Sequence, residues 1–231
     1  MRFQDDFFRL IKEKGPVRHR VGRTGRYWDS KLSLLRVKGP SLLKRWWCSV
    51  LLLPFVLLSV HQIYKALSVN IFFLIHYDYI FPYSIVYFLI FHFDLIVHEA
   101  GHTFFGIFGN RILYILGGSV YQVFLPFLIF AFAWFNRYWV GMQLSLAYLG
   151  FSWMSVAGYA GDAATRQLPL IGNLGKEAHD WHNIFRHLGV LESYMTFAVI
   201  FAVIGGLCYM AALALPAFRD DTEFADLDID L

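Results

Sequence analysis

The chemistry of this chain is concentrated in five residues, His98-Glu99-Ala100-Gly101-His102. Residues four apart share a helix face, so both imidazoles can point at one metal ion. Glu99 follows His98 directly and would stand beside a water activated by that metal, placed to take its proton. The pentapeptide therefore combines a metal site and a general base. The surrounding stretch, residues 94–106, is otherwise mostly apolar. Asp94, His98, Glu99 and His102 put four ionisable side chains into nine residues, and all but Glu99 are spaced i, i+4, i+8 on one face. On insertion scales a charged side chain in an apolar span costs about 2.5–3.5 kcal/mol, so such groups are rarely idle. The plainer alternative is a hydrogen-bonded polar cluster that joins helices.

Catalytic zinc usually takes three protein ligands and a water. Beyond the pentapeptide, Asp162, Glu177, His179, Asp180, His182 and His187 offer carboxylate or imidazole. The His179–Asp180 pair is the densest in ligand chemistry, and either residue fits as the third ligand. His179 and His182 share a face, so one can ligate while the other supports. Otherwise His182 and His187 read as wet interfacial residues. Asp162 can act as a ligand or behind one. Asp94, one turn before His98, can accept the free N–H of a ligating imidazole and fix its tautomer. His92 lies off that face and reads as a bundle hydrogen bond. Ser119 and Gln122 share a face downstream, where they could hold a substrate backbone or an oxyanion. Gly117, Gly118 and Pro126 around them favour a bent or broken helix lining a cavity, with tight glycine-mediated packing as the alternative.

These residues need elements to position them. The chain has 231 residues, 58% hydrophobic and 19% aromatic, with 24 Phe. That is too apolar for a soluble domain of this size, and the apolar runs reach membrane-spanning length. The expected fold is all-α: a polytopic membrane protein of about five transmembrane helices, with a short interfacial helix between the fourth and fifth. The spans fall near 46–67, 84–108, 112–135, 138–159 and 194–215. Residues 68–83 read as an aromatic-rich interfacial loop or short helix, and 176–189 as the short helix. Cys48 and Cys208 lie in apolar spans and suggest neither a disulfide framework nor a Cys-based zinc site.

Three parts follow: a basic cytosolic arm (1–45), a membrane-embedded domain (46–217) and an acidic tail (218–231). Residues 1–45 hold 13 Lys and Arg against 4 acids, while 219–231 hold one Arg and six acids. The charged stretch is too long for a secretory signal, so no cleavage is expected. Such an arm fixes orientation; a contact with anionic lipid, at about 1 kcal/mol per basic residue, is the sharper reading. Nucleic acid is not expected as a partner, because the basic run leads straight into a span. With a cytosolic N-terminus, inside segments carry those 13 plus Arg111, Arg166, Lys176 and Arg186, and outside segments only Lys65, Arg137 and Arg219. The positive-inside rule supports this orientation, which puts the pentapeptide, Gly117–Gln122 and His179–Asp180 toward the cytosolic side.

A His-Glu-x-x-His motif late in a membrane span, then a Gly-containing segment and a later acidic ligand on the same side, resembles the site-2 protease class of intramembrane zinc metalloproteases. The likeness covers about residues 84–190. It implies that His98 and His102 bind Zn2+, that Glu99 is the general base, and that Asp180 is the third ligand. The substrate would be a transmembrane or membrane-associated protein, with the lipid bilayer as surroundings. The chain lacks the Asp-Gly pair in which familiar members place their aspartate, and has no room for a PDZ insertion. Two other expectations use the same residues: a zinc hydrolase of lipid amides or esters, and a non-enzymatic metal-binding or transport protein.

Overall fold

The computed structural model describes residues 23–75 and 80–219, with side chains from residue 42 onward. The basic arm before residue 23, residues 76–79 of the aromatic-rich stretch, and the acidic tail from residue 220 lie outside the described residues. The chain divides into two units, Met1–Arg45 and Trp46–Leu231. In the first, the backbone is helical from Arg23, so the latter half of the basic stretch is helix. The second holds everything that follows.

The described residues form helices only: α1 (Arg23–Ser68), α2 (Tyr83–Gly106), α3 (Arg111–Phe135), α4 (Trp139–Gly161), α5 (Asp180–Leu188) and α6 (Tyr194–Ala214), joined by short 3-10 turns. Among the described residues, four stretches are long and apolar enough to cross a membrane: Leu42–Ser68, Tyr83–Gly106, Arg111–Phe135 and Leu191–Phe218. Large apolar side chains such as Ile80, Ile96, Ile107, Phe132 and Phe135 are exposed. Outward apolar surface of that extent is consistent with an integral membrane protein.

Local chemistry sets the boundaries. Gly109 adopts φ 64° and hands over to Asn110, whose Oδ1 accepts the backbone N–H groups of Ile112 (2.9 Å) and Leu113 (3.1 Å) and starts α3. α3 runs without a break through Gly117, Gly118 and Pro126. The glycines serve contact instead. A Cβ on Gly101 of α2 would collide with the Gly117 carbonyl, and one on Gly117 would come within 2.6 Å of Phe105 Cβ. The α2–α3 crossing is therefore backbone against backbone, the small-residue mode of packing in apolar surroundings.

α4 is the most enclosed element and crosses α6 in the same way. A Cβ on Gly150 would lie 2.7 Å from the Tyr209 ring, and one on Gly205 would lie 2.9 Å from the Gly150 carbonyl. Polar side chains tie α1, α4 and α6 together: Gln143 Nε2 donates to Ser49 Oγ and Ala212 O, both at 2.9 Å, and Ser59 bonds Tyr209 Oη at 2.8 Å. Between them lies an aromatic core of Phe55, Tyr87, Phe151 and Tyr209. His92 sits exposed, its Nδ1 2.8 Å from Phe88 O one turn back. Its hydrogen bond is thus within its own helix rather than across the bundle.

Candidate metal centre

α2 brings His98 and His102 to one buried face. α5 brings Asp180 to meet them: its Oδ2 lies 3.1 Å from His98 Nε2 and 3.2 Å from His102 Nε2. One ligand atom from each of the three residues falls within 4.8 Å of the others, and all three residues are buried.

Hydrogen-bond partners determine what those atoms offer. Gln122 turns its amide nitrogen toward Asp94 Oδ2, with which it makes a short hydrogen bond, as an ionised carboxylate requires. Its Oε1 then faces His98 Nδ1 at 2.9 Å and accepts that N–H. Ser152 Oγ donates to the other Asp94 oxygen at 2.7 Å. Likewise His102 Nδ1 donates to the Tyr114 carbonyl at 2.8 Å. Both imidazoles therefore spend their N–H outward, and two Nε2 lone pairs face a carboxylate oxygen. Three acceptors this close require a cation or extra protons between them. A tetrahedral zinc with bonds of about 2.0–2.2 Å separates its ligand atoms by about 3.4 Å, near the 3.1 and 3.2 Å between Asp180 Oδ2 and the two Nε2 atoms. Gly118 completes the fit: a Cβ there would lie 2.6 Å from both His98 Nε2 and His102 Nε2. The backbone of α3 leaves open the space an ion needs.

Asp94 thus does not meet His98 directly, as its spacing suggested; it holds Gln122, and Gln122 holds the imidazole. Ser119 is buried and accepts the Trp181 indole N–H at 3.1 Å, pinning α5 to α3. Gln122 and Ser119 are committed to protein groups rather than turned to a substrate.

His179 and Asp162 are not among the three convergent residues. His179 begins α5 as its N-cap, with Nδ1 accepting the His182 N–H at 3.3 Å. The remaining ring proton sits on Nε2, 3.4 Å from Asp162 Oδ2. Asp162 also accepts from Thr165 Oγ1 and from the backbone N–H groups of Gln167 and Leu168. Burial pushes the Asp162 carboxyl up, but these donors and His179 outweigh it and hold it below the usual carboxylate range. Apolar packing of Trp181, Ile184 and Phe185 and a left-handed C-cap at Gly189, φ 70°, finish α5. Asp180 is therefore delivered by a short helix fixed at both ends. His182 reaches the Ala163 carbonyl at 2.8 Å, and His187 is exposed.

Sequence reasoning passed over Tyr159. Its Oη lies 3.2 Å from Asp180 N and 3.4 Å from Asp180 Oδ2, and its ring packs on His179. The one signal for it was a hydroxyl-bearing aromatic in the last turn before a polar loop. Gly118 had attracted notice as a bend former, not as clearance for a ligand cluster. Glu99 is exposed and lines, with the three convergent residues, a cavity of about 600 Å3. Comparison with protein-family models, with curated proteins and with solved structures gives no match.

Proposed function

We propose that this chain is a zinc-dependent protease working within or beside a membrane. The observation that carries the reading is the convergence of Asp180 on His98 and His102, with both imidazole lone pairs turned inward and Glu99 on the wall of the same cavity. His98, His102 and Asp180 would hold the ion. Bound there, zinc would supply Lewis-acid polarisation of a carbonyl and activation of a water. Glu99 takes a proton at its carboxylate and returns it to the leaving amine. Gln122 and the Tyr114 carbonyl keep the imidazoles in the ligating tautomer, and Tyr159 holds the Asp180 carboxylate. The pentapeptide on an apolar helix, with a later aspartate, is the likeness to the site-2 protease class.

In this reading α4 also spans, fourth in chain order, and brings the count to five. Its 23 residues give a length of about 34 Å, enough for a bilayer core, and its polar and small residues face the other helices. The N-terminus is cytosolic and the metal centre lies toward the cytosolic side, a placement that the Lys and Arg distribution supports. Glu99→Gln is the test. It should leave metal binding intact and abolish hydrolysis, so that intact membrane proteins accumulate in cells carrying the variant. Unchanged cleavage by Glu99→Gln would overturn the assignment.

A further inference from the structure

Resting on that protease reading, we propose that the cavity behind the three convergent residues is a specificity pocket for one large apolar side chain next to the scissile bond. The cavity measures about 600 Å3 and changes character with depth. Its rim carries the exposed side chains of Glu99, Arg111 and Glu177. Its far wall is Ile63, Phe151 and Met154, at 5%, 2% and 5% exposure, drawn from α1 and α4. Two polar side chains of the lining are engaged: Gln62 Nε2 donates to Phe73 O and Leu74 O at 2.8 and 3.1 Å, and Ser59 bonds Tyr209.

A peptide backbone needs partners for every N–H and C=O, and a wall of this kind supplies none. The backbone of a substrate therefore stays at the polar rim beside Glu99, and what enters is apolar. Size makes the same point. One helical turn fills about 500 Å3, most of the cavity, so an intact helix would crowd the reacting amide at the metal centre. An unwound segment that sends a single Leu-, Met- or Phe-sized side chain inward satisfies both limits.

The probes are n-alkyl hydroxamic acids from acetohydroxamic to dodecanohydroxamic, titrated onto the zinc-loaded, detergent-purified full chain. Hydroxamate seeks the metal and the alkyl group samples the pocket, so no turnover is needed. Affinity should rise about four-fold per added methylene over the first four to six carbons and then level. Met154→Trp, which fills the far end, should abolish the rise while leaving acetohydroxamate binding unchanged. Comparison in one detergent cancels probe partition into micelles. Should Met154→Trp fail to fold, Ile63→Phe on the same far wall replaces it. Affinity independent of chain length, with acetohydroxamate still bound, overturns the pocket alone. A rise that continues through twelve carbons overturns the side-chain assignment in favour of an acyl chain. Failure of every probe to bind zinc-loaded protein overturns the protease reading and the pocket with it.

Discussion

Gln122 is the residue on which the geometry of His98 turns. Its amide donates to Asp94 through Nε2 and faces His98 through Oε1, the orientation an ionised Asp94 requires. Replacing it with Leu strands a buried carboxylate and frees the imidazole to take either tautomer. Zinc affinity of Gln122→Leu should fall about 10–100-fold, measured by chelator competition; an unchanged affinity would show that the relay does no positioning. Gly118 makes an opposing demand. Alanine favours a helix over glycine by about 1 kcal/mol, so Gly118→Ala should not weaken α3. Its Cβ would nonetheless come within 2.6 Å of both Nε2 atoms, and His98 cannot yield because Gln122 holds it. Gly118→Ala should therefore lose metal while keeping its helical circular dichroism. Full metal content in that variant would contradict the placement of the ion. The pentapeptide and the candidate ligands were readable from residue type and spacing alone. The relay was not, since Gln122 and Asp94 stand 28 residues apart and only the α2–α3 crossing joins them.

At the scale of elements, α5 is the part that completes the site, and Asp162 with His179 sets where it begins. Asp162 touches no proposed ligand, yet Asp162→Ala should weaken zinc binding and speed proteolysis between residues 163 and 178. The carboxylate is held below its ordinary range in the folded chain, so its stabilisation is present above the unfolded pKa, about 3.9, and is lost as pH falls through the lower folded value. The stability gap between wild type and Asp162→Ala should accordingly be full near neutrality and shrink below about pH 4. A gap independent of pH would mean that packing, not the charge, does the work. Helix positions were legible because apolar runs and Asn, Gly and Pro punctuation are local signals. The role of Gly117 and Gly118 was not: adjacent glycines signal bending and close approach equally, and only the neighbouring helix shows which applies.

For the whole molecule, the account makes orientation testable. Cys48 is buried and Cys208 half-buried, so the background to thiol labelling is low. A cysteine placed at Tyr138, which is 60% exposed, should react with an impermeant reagent from outside the cell, and one at Glu177 only after the membrane is opened. The reverse pattern would invert the chain and move the metal centre to the other face. The distribution of Lys and Arg suggests that orientation, and the small residues Gly141, Ser145, Gly150, Ser152 and Ser155 already pointed to the close packing of α4. Its serines, glycines and glutamine lower its apolarity because it packs against other helices more than its neighbours do.

The metal itself is the most direct test of the central claim. Zinc should be measured per chain in detergent-purified protein, wild type beside His98→Ala, Asp180→Ala, His179→Ala and Glu99→Gln. The account predicts about one zinc in wild type and in Glu99→Gln, none in His98→Ala or Asp180→Ala, and a weakened but present site in His179→Ala. Wild type without metal, or Asp180→Ala with its full complement, would contradict it and leave the three residues as a polar cluster that joins helices.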